Sequence, residues 1–470
     1  MKYKIDKYAV FHNSKDEKFI YGFNFRNGAL AQFSKNNQDL IDIINNKGTD
    51  SPLVLIRNQE FSSNFLISDL VDEKNLIKER FREIQNNSKE LNLTILTTLA
   101  CNFSCYYCYE KRESIRITQE TINNIISLIE KNIPNLERLG ICWYGGEPLL
   151  VKDEIIQLNK KIKIICEINS IQFSSKVVTN AYLLDENVGF DLYTAGINEI
   201  QVSFDGPRDI HDKVRHQHGK PTFDRIVNNI SINKDRFNFI IRVNVSKDNE
   251  LNLDELLQQL SDKDINTKST IYFANLHSNG VGCSDMSEPQ IDGLIKTSDF
   301  LKQSIKLKSK ALDLGFKIRT PLSTITLCSA VIKGGMVIEP DGKVKKCYLD
   351  VSNNTESIAN ISEKIIPIHN IDSELLTTSS IEEKWVNYDP FTNEDCSNCK
   401  VLPICFSGCP WEAMKGVPTK ERCHPLKTGL EEYFDFIFNS IDNGANFDPV
   451  YKTLQKSFNN TQNFITIKQE

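Results

Sequence analysis

The stretch Cys101-Asn-Phe-Ser-Cys105-Tyr-Tyr-Cys108 places three cysteines in eight residues, directly after the apolar run 91–99. Three thiolates can bind three irons of a cubane iron–sulfur cluster and leave the fourth iron without a protein ligand. An iron with an open position can bind a reactant, so this spacing predicts reaction chemistry rather than electron storage. A zinc site would need a fourth ligand, or an open position beside a general base, and neither stands nearby in the sequence.

A second motif, Trp143-Tyr-Gly-Gly-Glu-Pro-Leu-Leu150, follows the cysteine stretch. Together, CNFSCYYCYE and WYGGEPLL resemble the radical S-adenosylmethionine (SAM) superfamily. In that family the open iron binds the amino and carboxylate groups of SAM. One electron then splits the sulfonium, and the 5′-deoxyadenosyl radical removes a hydrogen atom from the substrate. Without the cysteine stretch, Gly145-Gly146 would indicate only a tight turn after a strand.

The resemblance implies a role for each matching residue of this chain. The cluster ligands would be Cys101, Cys105 and Cys108. Tyr107 would lie near the adenine of SAM, and the methionine ammonium would be approached by Gly145, Gly146 and Glu147. Weaker candidates for contacts to the SAM carboxylate or ribose are Asn180, Ser203 and Arg215. Residues 177–180 resemble the family's TNG segment, but Ala181 replaces the glycine.

The composition is that of an ordinary soluble protein of 470 residues, long enough for roughly three domains. The net charge of −6 and the lack of a basic cluster argue against a nucleic-acid partner. No run reaches the ~18–20 apolar residues of a membrane span, and the N-terminus lacks the apolar core of a signal peptide. Thirteen cysteines in such a chain favour metal ligands over disulfides, and iron-bound thiolates need a reducing compartment. We therefore expect a cytoplasmic protein with no membrane partner.

Between residues 91 and 318, short β-rich runs alternate with longer amphipathic runs. The predicted strands are Leu91–Thr98, Arg138–Trp143, Gln172–Thr179, Glu199–Phe204, Phe239–Val245 and Thr270–Ala274. The predicted helices are Thr118–Lys131, Lys152–Cys166, Asp185–Ala195, Phe223–Lys234 and Leu253–Leu260. This alternation predicts βα units around a parallel sheet, whose ligands bind at the carboxyl ends of the strands. We expect an α/β fold with a partial (β/α)6 TIM-like barrel.

Residues 1–90 do not share this rhythm and predict an N-terminal α+β module. Short strands are expected at Tyr8–His12, Phe19–Phe25 and Ala29–Phe33, with a turn at Asn27-Gly28 and helices at Leu40–Asn45 and Lys74–Gln85. Radical SAM enzymes that modify ribosomal peptides often carry an N-terminal module that binds the precursor's leader peptide, sometimes as an added strand. The alternative is an extension that only covers the barrel, and the sequence leaves both open.

A second cysteine array occupies the last third of the chain. Cys328 is followed by Gly342 and Cys347, then by Cys396-x2-Cys399-x5-Cys405-x3-Cys409 and by Cys423. This order resembles the SPASM domain, an extension of radical SAM enzymes that usually carries two auxiliary 4Fe–4S clusters. The resemblance implies three clusters in all, and it divides the seven cysteines into two sets. One set is Cys396, Cys399, Cys405 and Cys423; the other, which lacks one ligand, is Cys328, Cys347 and Cys409.

The sequence leaves the eighth ligand of the auxiliary clusters undetermined. The eighth auxiliary ligand is Cys283, a substrate group or a non-cysteine ligand, or else the position is vacant. Cys142 and Cys166 are interpreted as small buried hydrophobic residues. The run His211-x4-His216-x-His218 is interpreted as a solvated loop rather than a metal site.

The predicted domains are the N-terminal module (1–90), the barrel (91–318), the SPASM domain (319–430) and a C-terminal helix and tail (431–470).

Within the superfamily, the motifs resemble maturases of ribosomally synthesised peptides (RiPPs) and anaerobic sulfatase-maturating enzymes. Sulfatase maturases oxidise Cys or Ser to formylglycine and place an Asp after the cysteine at the position of Cys347. Tyr348 stands there in this chain, and the nearest carboxylate is Asp350. We therefore favour a peptide maturase that forms a thioether or carbon–carbon crosslink and receives electrons from reduced flavodoxin or ferredoxin. The alternatives are a sulfatase maturase and a non-catalytic iron–sulfur electron carrier.

Overall fold

In the computed structural model the barrel and the cysteine-rich segment share one sheet of ten strands. The structure describes residues 2–14, 16–108, 110, 112–276, 295, 297–318, 327–353, 356–361, 380–443, 445 and 464–466. The strands are β1 Tyr3–Ile5, β2 Ala9–Asn13, β3 Phe19–Asn24, β4 Leu30–Ser34, β5 Gly48–Thr49, β6 Leu66–Ser68, β7 Glu90–Thr98, β8 Arg138–Gly145, β9 Gln172–Val178, β10 Glu199–Phe204, β11 Asn238–Val245, β12 Ser269–Asn275, β13 Lys317–Ile318, β14 Gly335–Ile338, β15 Lys343–Lys345, β16 Ala359–Asn360 and β17 Phe464–Thr466.

The helices of the described residues are α1 Gln38–Asn45, α2 Pro52–Arg57, α3 Gln59–Phe65, α4 Glu73–Gln85, α5 Gln119–Asn132, α6 Lys152–Ile168, α7 Glu186–Thr194, α8 Arg208–Val214, α9 Phe223–Asn233, α10 Leu253–Ser261, α11 Thr297–Asp313, α12 Ser380–Val386, α13 Glu394–Ser397, α14 Leu402–Cys405, α15 Pro410–Met414 and α16 Leu430–Asp442. Within the described ranges, no helix combines the length and the apolar character that a bilayer crossing requires.

The ten-stranded sheet confirms the predicted α/β fold. Strands β7 to β12 lie side by side in chain order, and all of their pairings are parallel. A helix packs between most successive strands, as the alternating pattern predicted. The six predicted strands and five predicted helices lie within two residues of the observed ones, because apolar runs and capping residues mark their ends.

Side chains of the barrel strands alternate between two environments. On β8, Leu139, Ile141 and Trp143 are fully buried towards the helices. Cys142 and Tyr144 point to the other face, where a cavity of about 1290 Å³ fills the barrel interior. Cys142 is predicted to be a buried hydrophobic residue; in the structure its side chain is half-buried at the cavity wall, and burial raises the pKa of its thiol to about 11. Cys166 on α6 is fully buried, as predicted.

The cysteine-rich segment extends the same sheet rather than forming a separate one. β14 pairs in parallel with β7, from Gly335 opposite Asn92 to Ile338 opposite Ile95, and β15 and β16 follow in antiparallel order. Close backbone approach requires glycine at this junction, because a Cβ on Gly334 would lie 2.0 Å from the Glu90 carbonyl oxygen. The junction brings the second cysteine array beside the first barrel strand.

The N-terminal region forms two small sheets, β5-β1-β6 and β4-β3-β2, together with helices α1 to α4, and strand β17 from residues 464–466 adds to the second sheet beside β4. Gly28, with φ of 75°, helps to close the β3–β4 connection at the predicted turn. The region packs on the C-terminal part of the chain: the ring of Tyr21 stacks on Phe438 at 3.9 Å, and Phe81 contacts Phe406 at 5.2 Å. The first contact is with α16 and the second with the cysteine-rich segment, so the N-terminal region packs on both.

One histidine lies in a different environment from the predicted solvated loop. His211 belongs to α8 and is fully buried between the rings of Phe204 and Phe223, with centroid distances of 5.2 and 5.5 Å. Burial lowers the pKa of His211 well below its usual value. The interpretation as a solvated loop was wrong for this residue, because the apolar face of α8 needs a side chain at that position.

Candidate functional site

The cysteine stretch forms an irregular loop that Tyr107 attaches to the strand ends of the barrel. Its hydroxyl donates to Asp205 Oδ2 at 2.7 Å and accepts from Arg215 Nη1 at 2.8 Å and Asn244 Nδ2 at 3.2 Å. Asp205 follows β10, and Asn244 lies at the end of β11. One buried phenol therefore holds the loop above the carboxyl ends of two neighbouring strands.

Gly145 and Gly146 hold the other side of the loop by close backbone contact. The amide of Gly146 donates to the Thr98 carbonyl at 3.0 Å, and the amide of Glu147 donates to the Ala100 carbonyl at 2.8 Å. A Cβ at Gly145 would lie 2.2 Å from the Thr98 oxygen, and one at Gly146 would lie 2.2 Å from the Ala100 oxygen. Glycine is required because the end of β8 touches the start of the cysteine loop.

Glu147 lies behind this turn rather than on the cavity surface. Its buried carboxylate accepts hydrogen bonds from Thr179 Oγ1 at 2.6 Å, the Asn180 amide at 2.8 Å and the Leu149 amide at 2.9 Å. Burial raises the pKa of Glu147, and these three donors oppose that shift. Glu147 thus connects the ends of β8 and β9 through these hydrogen bonds. It is not among the residues that line the cavity.

A cavity of about 250 Å³ lies between the cysteine loop and the strand ends. The predicted residues that line it are Cys101, Cys105, Tyr107, Cys108, Gly145, Gly146, Asn180, Ser203 and Arg215. Burial raises the pKa of Cys101 to about 12 and also raises the pKa values of Cys105 and Cys108. Buried thiols of this kind become thiolates when a cationic metal centre replaces their protons.

Unpartnered polar atoms in this cavity test whether SAM fits. Glu110 Oε1, Arg215 Nε and Asn275 Oδ1 are buried and have no hydrogen-bond partner among the described residues. Leaving such atoms unpaired costs about 1–3 kcal/mol each. A ligand with amino, carboxylate and hydroxyl groups would satisfy them, and three thiols stand beside it for an iron–sulfur cluster. The donor set therefore fits both groups.

Sequence reasoning did not single out Glu110 or Asn275. Burial raises the pKa of Glu110 to about 7, and the only sign of it in the sequence is the last letter of the CYE motif. Asn275 ends β12, so its position at the cavity follows only from the observed strand register.

Four of the later cysteines line one further cavity: Cys396, Cys399, Cys405 and Cys423. The backbone turns sharply there, because Phe406, Ser407 and Gly408 all have positive φ angles of 44°, 72° and 79°. Two non-glycine residues in this conformation are strained, and such strain is often found at functional sites. Lys427 Nζ lies 3.7 Å from Cys423 Sγ and places a positive charge beside the thiols.

The remaining three cysteines also lie together. Burial raises the pKa of Cys347, and the neighbouring Cys328 and Cys409 raise it further. The next residue, Tyr348, lines the cavity of the cysteine loop. Cys283, a candidate for the missing ligand, lies outside the described residues.

The described part of the chain contains no group of three or more His, Cys, Asp or Glu side chains arranged around a single metal ion. A zinc site would place four ligand atoms about 2.0–2.3 Å from one ion. A cubane instead spreads its ligands over several irons.

A protein-family comparison matches residues 95–260 to the radical SAM superfamily. The chain contains a radical SAM domain. This span begins on β7 and includes the cysteine loop, the glycine turn and the ends of β9 to β11. The domain implies SAM and a 4Fe–4S cluster as cofactors.

Two curated relatives match part of the chain. GTP 3′,8-cyclase of Campylobacter jejuni subsp. doylei is 30% identical over 177 residues, which are 36% of this chain and 50% of the relative. The radical SAM cyclopropyl synthase TigE of Paramaledivibacter caminithermalis is 24% identical over 233 residues, which are 45% of this chain and 48% of the relative. The chain thus spans about half the length of each.

Two solved structures share the fold over a longer part of the chain. The enzyme anSMEcpe with bound AdoMet and the Cp18Cys peptide matches 75% of this chain and 97% of its own, with a TM-score of 0.56 and 18% identity. Streptococcus suis SuiB bound to the precursor peptide SuiA matches 90% of this chain and 99% of its own, with a TM-score of 0.52 and 16% identity. At these identities the likeness shows the fold alone.

Proposed function

We propose that this protein is a radical SAM maturase that forms an intramolecular thioether or carbon–carbon crosslink in a ribosomally made precursor peptide. When bound, SAM and its cluster supply a 5′-deoxyadenosyl radical that takes one hydrogen atom from the peptide. Cys101, Cys105 and Cys108 would hold that cluster, and Arg215 and Asn275 would bind polar groups of SAM.

The observation that carries this proposal is the composition of the cavity wall. The wall combines three thiols of the radical SAM domain with Tyr348 and Leu349 of the cysteine-rich segment. Tyr348 directly follows Cys347, one of the second set of clustered cysteines. Joining C–H and S–H as C–S removes two hydrogen atoms, which are two protons and two electrons in total. The radical would take one hydrogen atom, and the other would leave as a proton and an electron, which an auxiliary cluster held by Cys328, Cys347 and Cys409 could accept.

Two auxiliary clusters belong to this proposal. Cys396, Cys399, Cys405 and Cys423 would bind one, and Cys328, Cys347 and Cys409 would bind the other. Lys427 lies beside the first set, and the nearby Cys423 raises the pKa of Lys427.

The position of Asp350 favours the crosslink over formylglycine formation. Asp350 is buried, accepts a hydrogen bond from Trp411 Nε1 at 2.8 Å and does not line the cavity. A catalytic base for formylglycine formation would have to reach the substrate in the cavity. The Asp350 carboxylate is instead directed to the indole of Trp411. Tyr348 occupies the cavity wall instead.

Two partners complete the proposal. SuiB, whose fold match covers most of this chain, is bound to a precursor peptide, which supports a peptide substrate here. Residues 1–90 would bind its leader, and reduced flavodoxin or ferredoxin would supply the electron. A reducing cytoplasm would protect the cluster-binding thiolates from oxidation.

The test is anaerobic reconstitution with iron and sulfide, followed by incubation with dithionite, SAM and synthetic peptides that correspond to any short open reading frames found beside this gene. We expect 5′-deoxyadenosine and a peptide that has lost two hydrogens, measured by mass spectrometry. Cys105→Ala should produce no 5′-deoxyadenosine, whereas the matched control Cys166→Ala, in the helix core, should retain it. Conversion of Cys or Ser to an aldehyde would instead establish the sulfatase-maturase alternative.

A further inference from the structure

Arg242 is a cation in the barrel interior, and no carboxylate of the described residues pairs with it. It lies on β11, and its side chain lines the cavity of the cysteine loop. Its Nε donates to Asn244 Oδ1 at 2.8 Å. Among the residues that the structure describes it pairs with no carboxylate, whereas Arg215 lies 3.6 Å from Asp205. The two arginines of this cavity therefore differ in whether their charge is balanced.

Three tyrosines surround the Arg242 guanidinium. The ring of Tyr272 lies 5.9 Å from it, and Tyr144 and Tyr348 are close enough to interact with its charge. The rings of Tyr144 and Tyr348 are 6.1 Å apart. These three side chains come from β8, β12 and the cysteine-rich segment. Arg242 thus lies among three phenol side chains, and Tyr272 is hydrogen-bonded to its guanidinium.

The Arg242 guanidinium and its tyrosine neighbours lie where the two cavities of the barrel meet. Tyr144 and Tyr348 line both the cysteine-loop cavity and the larger interior cavity. Tyr348 retains 48% exposure because its ring faces these two spaces. Arg242 also precedes Asn244 by two residues on the same strand, which places it about 7 Å deeper in the barrel than the residue that contacts Tyr107.

A partly buried guanidinium without a counter-ion is costly, and an anionic ligand removes that cost. A carboxylate matches the planar fork of arginine with two parallel hydrogen bonds. Phenol hydroxyls at the cavity wall can add hydrogen bonds to such a carboxylate. The site is therefore suited to a carboxylate.

We propose that Arg242, with Tyr144 and Tyr348, binds a carboxylate of the substrate as it enters from the barrel interior, while Tyr272 holds the guanidinium in place. The assignment of this carboxylate to the substrate rests on the proposed function, whereas the preference for a carboxylate rests on the site alone. The carboxylate of SAM is the other source of the same chemistry, because Arg242 pairs in register with Ser203, a predicted SAM contact. The contact with Tyr348 and the opening to the interior cavity favour the substrate.

The first measurement uses small probes on the reconstituted protein with SAM bound. Isothermal titration compares N-acetylglutamate amide with its neutral match, N-acetylglutamine amide. We expect the wild type to prefer the acid by about tenfold or more, which corresponds to about 1.4 kcal/mol. Arg242→Gln should lose this preference. Arg236→Gln, which removes a surface arginine that pairs with Glu186, should keep it.

The second measurement separates the two sources of the carboxylate. SAM and decarboxylated SAM are compared for affinity in the wild type and in Arg242→Gln. We expect the preference for SAM to persist in the variant. Its loss would assign Arg242 to the SAM carboxylate and overturn the proposal, as would a wild type without acid preference or an Arg242→Gln protein that retains it.

Two milder variants cover the case in which Arg242→Gln does not fold. Arg242→Lys keeps the charge but loses the fork, and Tyr348→Phe removes one hydroxyl. Both should weaken acid binding by about threefold to tenfold, and unchanged binding in both would contradict the proposal. These readouts need no turnover, so absent 5′-deoxyadenosine with intact acid preference would reject the proposed function and not this site.

Discussion

At the scale of single residues, the Tyr107 hydroxyl joins the cysteine loop to the barrel. Tyr107→Phe removes three hydrogen bonds and leaves Asp205, Arg215 and Asn244 with fewer partners. We expect a loss of about 1–3 kcal/mol in the free energy of unfolding and slower 5′-deoxyadenosine formation, measured by denaturant titration and chromatography. Tyr106→Phe, on the exposed neighbouring ring, is the matched control and should change neither. Equal behaviour of the two variants would show that the loop does not depend on this hydroxyl.

His211 predicts how stability depends on pH. Its folded-state pKa lies well below 6.5 because the ring is buried. Below about pH 6.5 the histidine of the unfolded chain binds a proton, whereas the buried ring of the folded chain does not. The free energy of unfolding therefore falls as the pH falls. Relative to His211→Leu, the wild type should lose about 2 kcal/mol between about pH 7 and about pH 5, measured by denaturant titration.

The control for this effect is Phe223→Leu, which reduces packing on the same ring and removes no titratable group. Its difference from the wild type should be the same at both pH values. A constant difference for His211→Leu as well would mean that the histidine becomes protonated in the folded protein.

At the scale of elements, the turn after β8 sets the position of the cysteine loop. Gly146→Ala would place a Cβ 2.2 Å from the Ala100 oxygen, so the turn and the loop must separate. A shift of about 1 Å can reduce catalysis by about 100-fold, and we expect a loss of that size in the rate of 5′-deoxyadenosine formation. Gly28→Ala, at a positive φ with open space around it, tests the effect of a strained turn remote from the site. It should cost about 1–2 kcal/mol in stability and leave the rate unchanged.

Most elements of the barrel were predictable, whereas the β7–β14 pairing was not. β7 to β12 carry long apolar runs, and capping residues such as Thr118 and Asp185 begin their helices. β14 has four residues and pairs with a strand more than 200 residues away. Such a short strand has no periodic signal of its own, and its partner is chosen by packing at Gly334 and Gly335.

At the scale of the whole molecule, the N-terminal region packs on the cysteine-rich segment. The buried ring of Phe81 on α4 contacts Phe391 at 5.8 Å and Phe406, which follows Cys405. We expect Phe81→Ala to reduce the free energy of unfolding by about 3–5 kcal/mol and to lower the iron bound per chain, because the support of the second cysteine array is lost. Denaturant titration and iron analysis measure the two effects.

Leu76→Ala is the matched control for this prediction, because Leu76 lies on the same helix and is 37% exposed. It should leave both quantities close to those of the wild type. A destabilised Phe81→Ala protein with full iron content would show that the cysteine array keeps its geometry without this contact.

The sequence by itself determined the alternating barrel and the radical SAM motifs, because apolar periodicity, glycines and cysteine spacing are local signals. Only the tertiary structure decided that Glu147 connects two strands, that Asp350 is directed to Trp411, and that Arg242 lies among three tyrosines. These assignments depend on which side chains meet across the sheet. That choice is made by strand register and packing between residues distant in the chain, which no local pattern encodes.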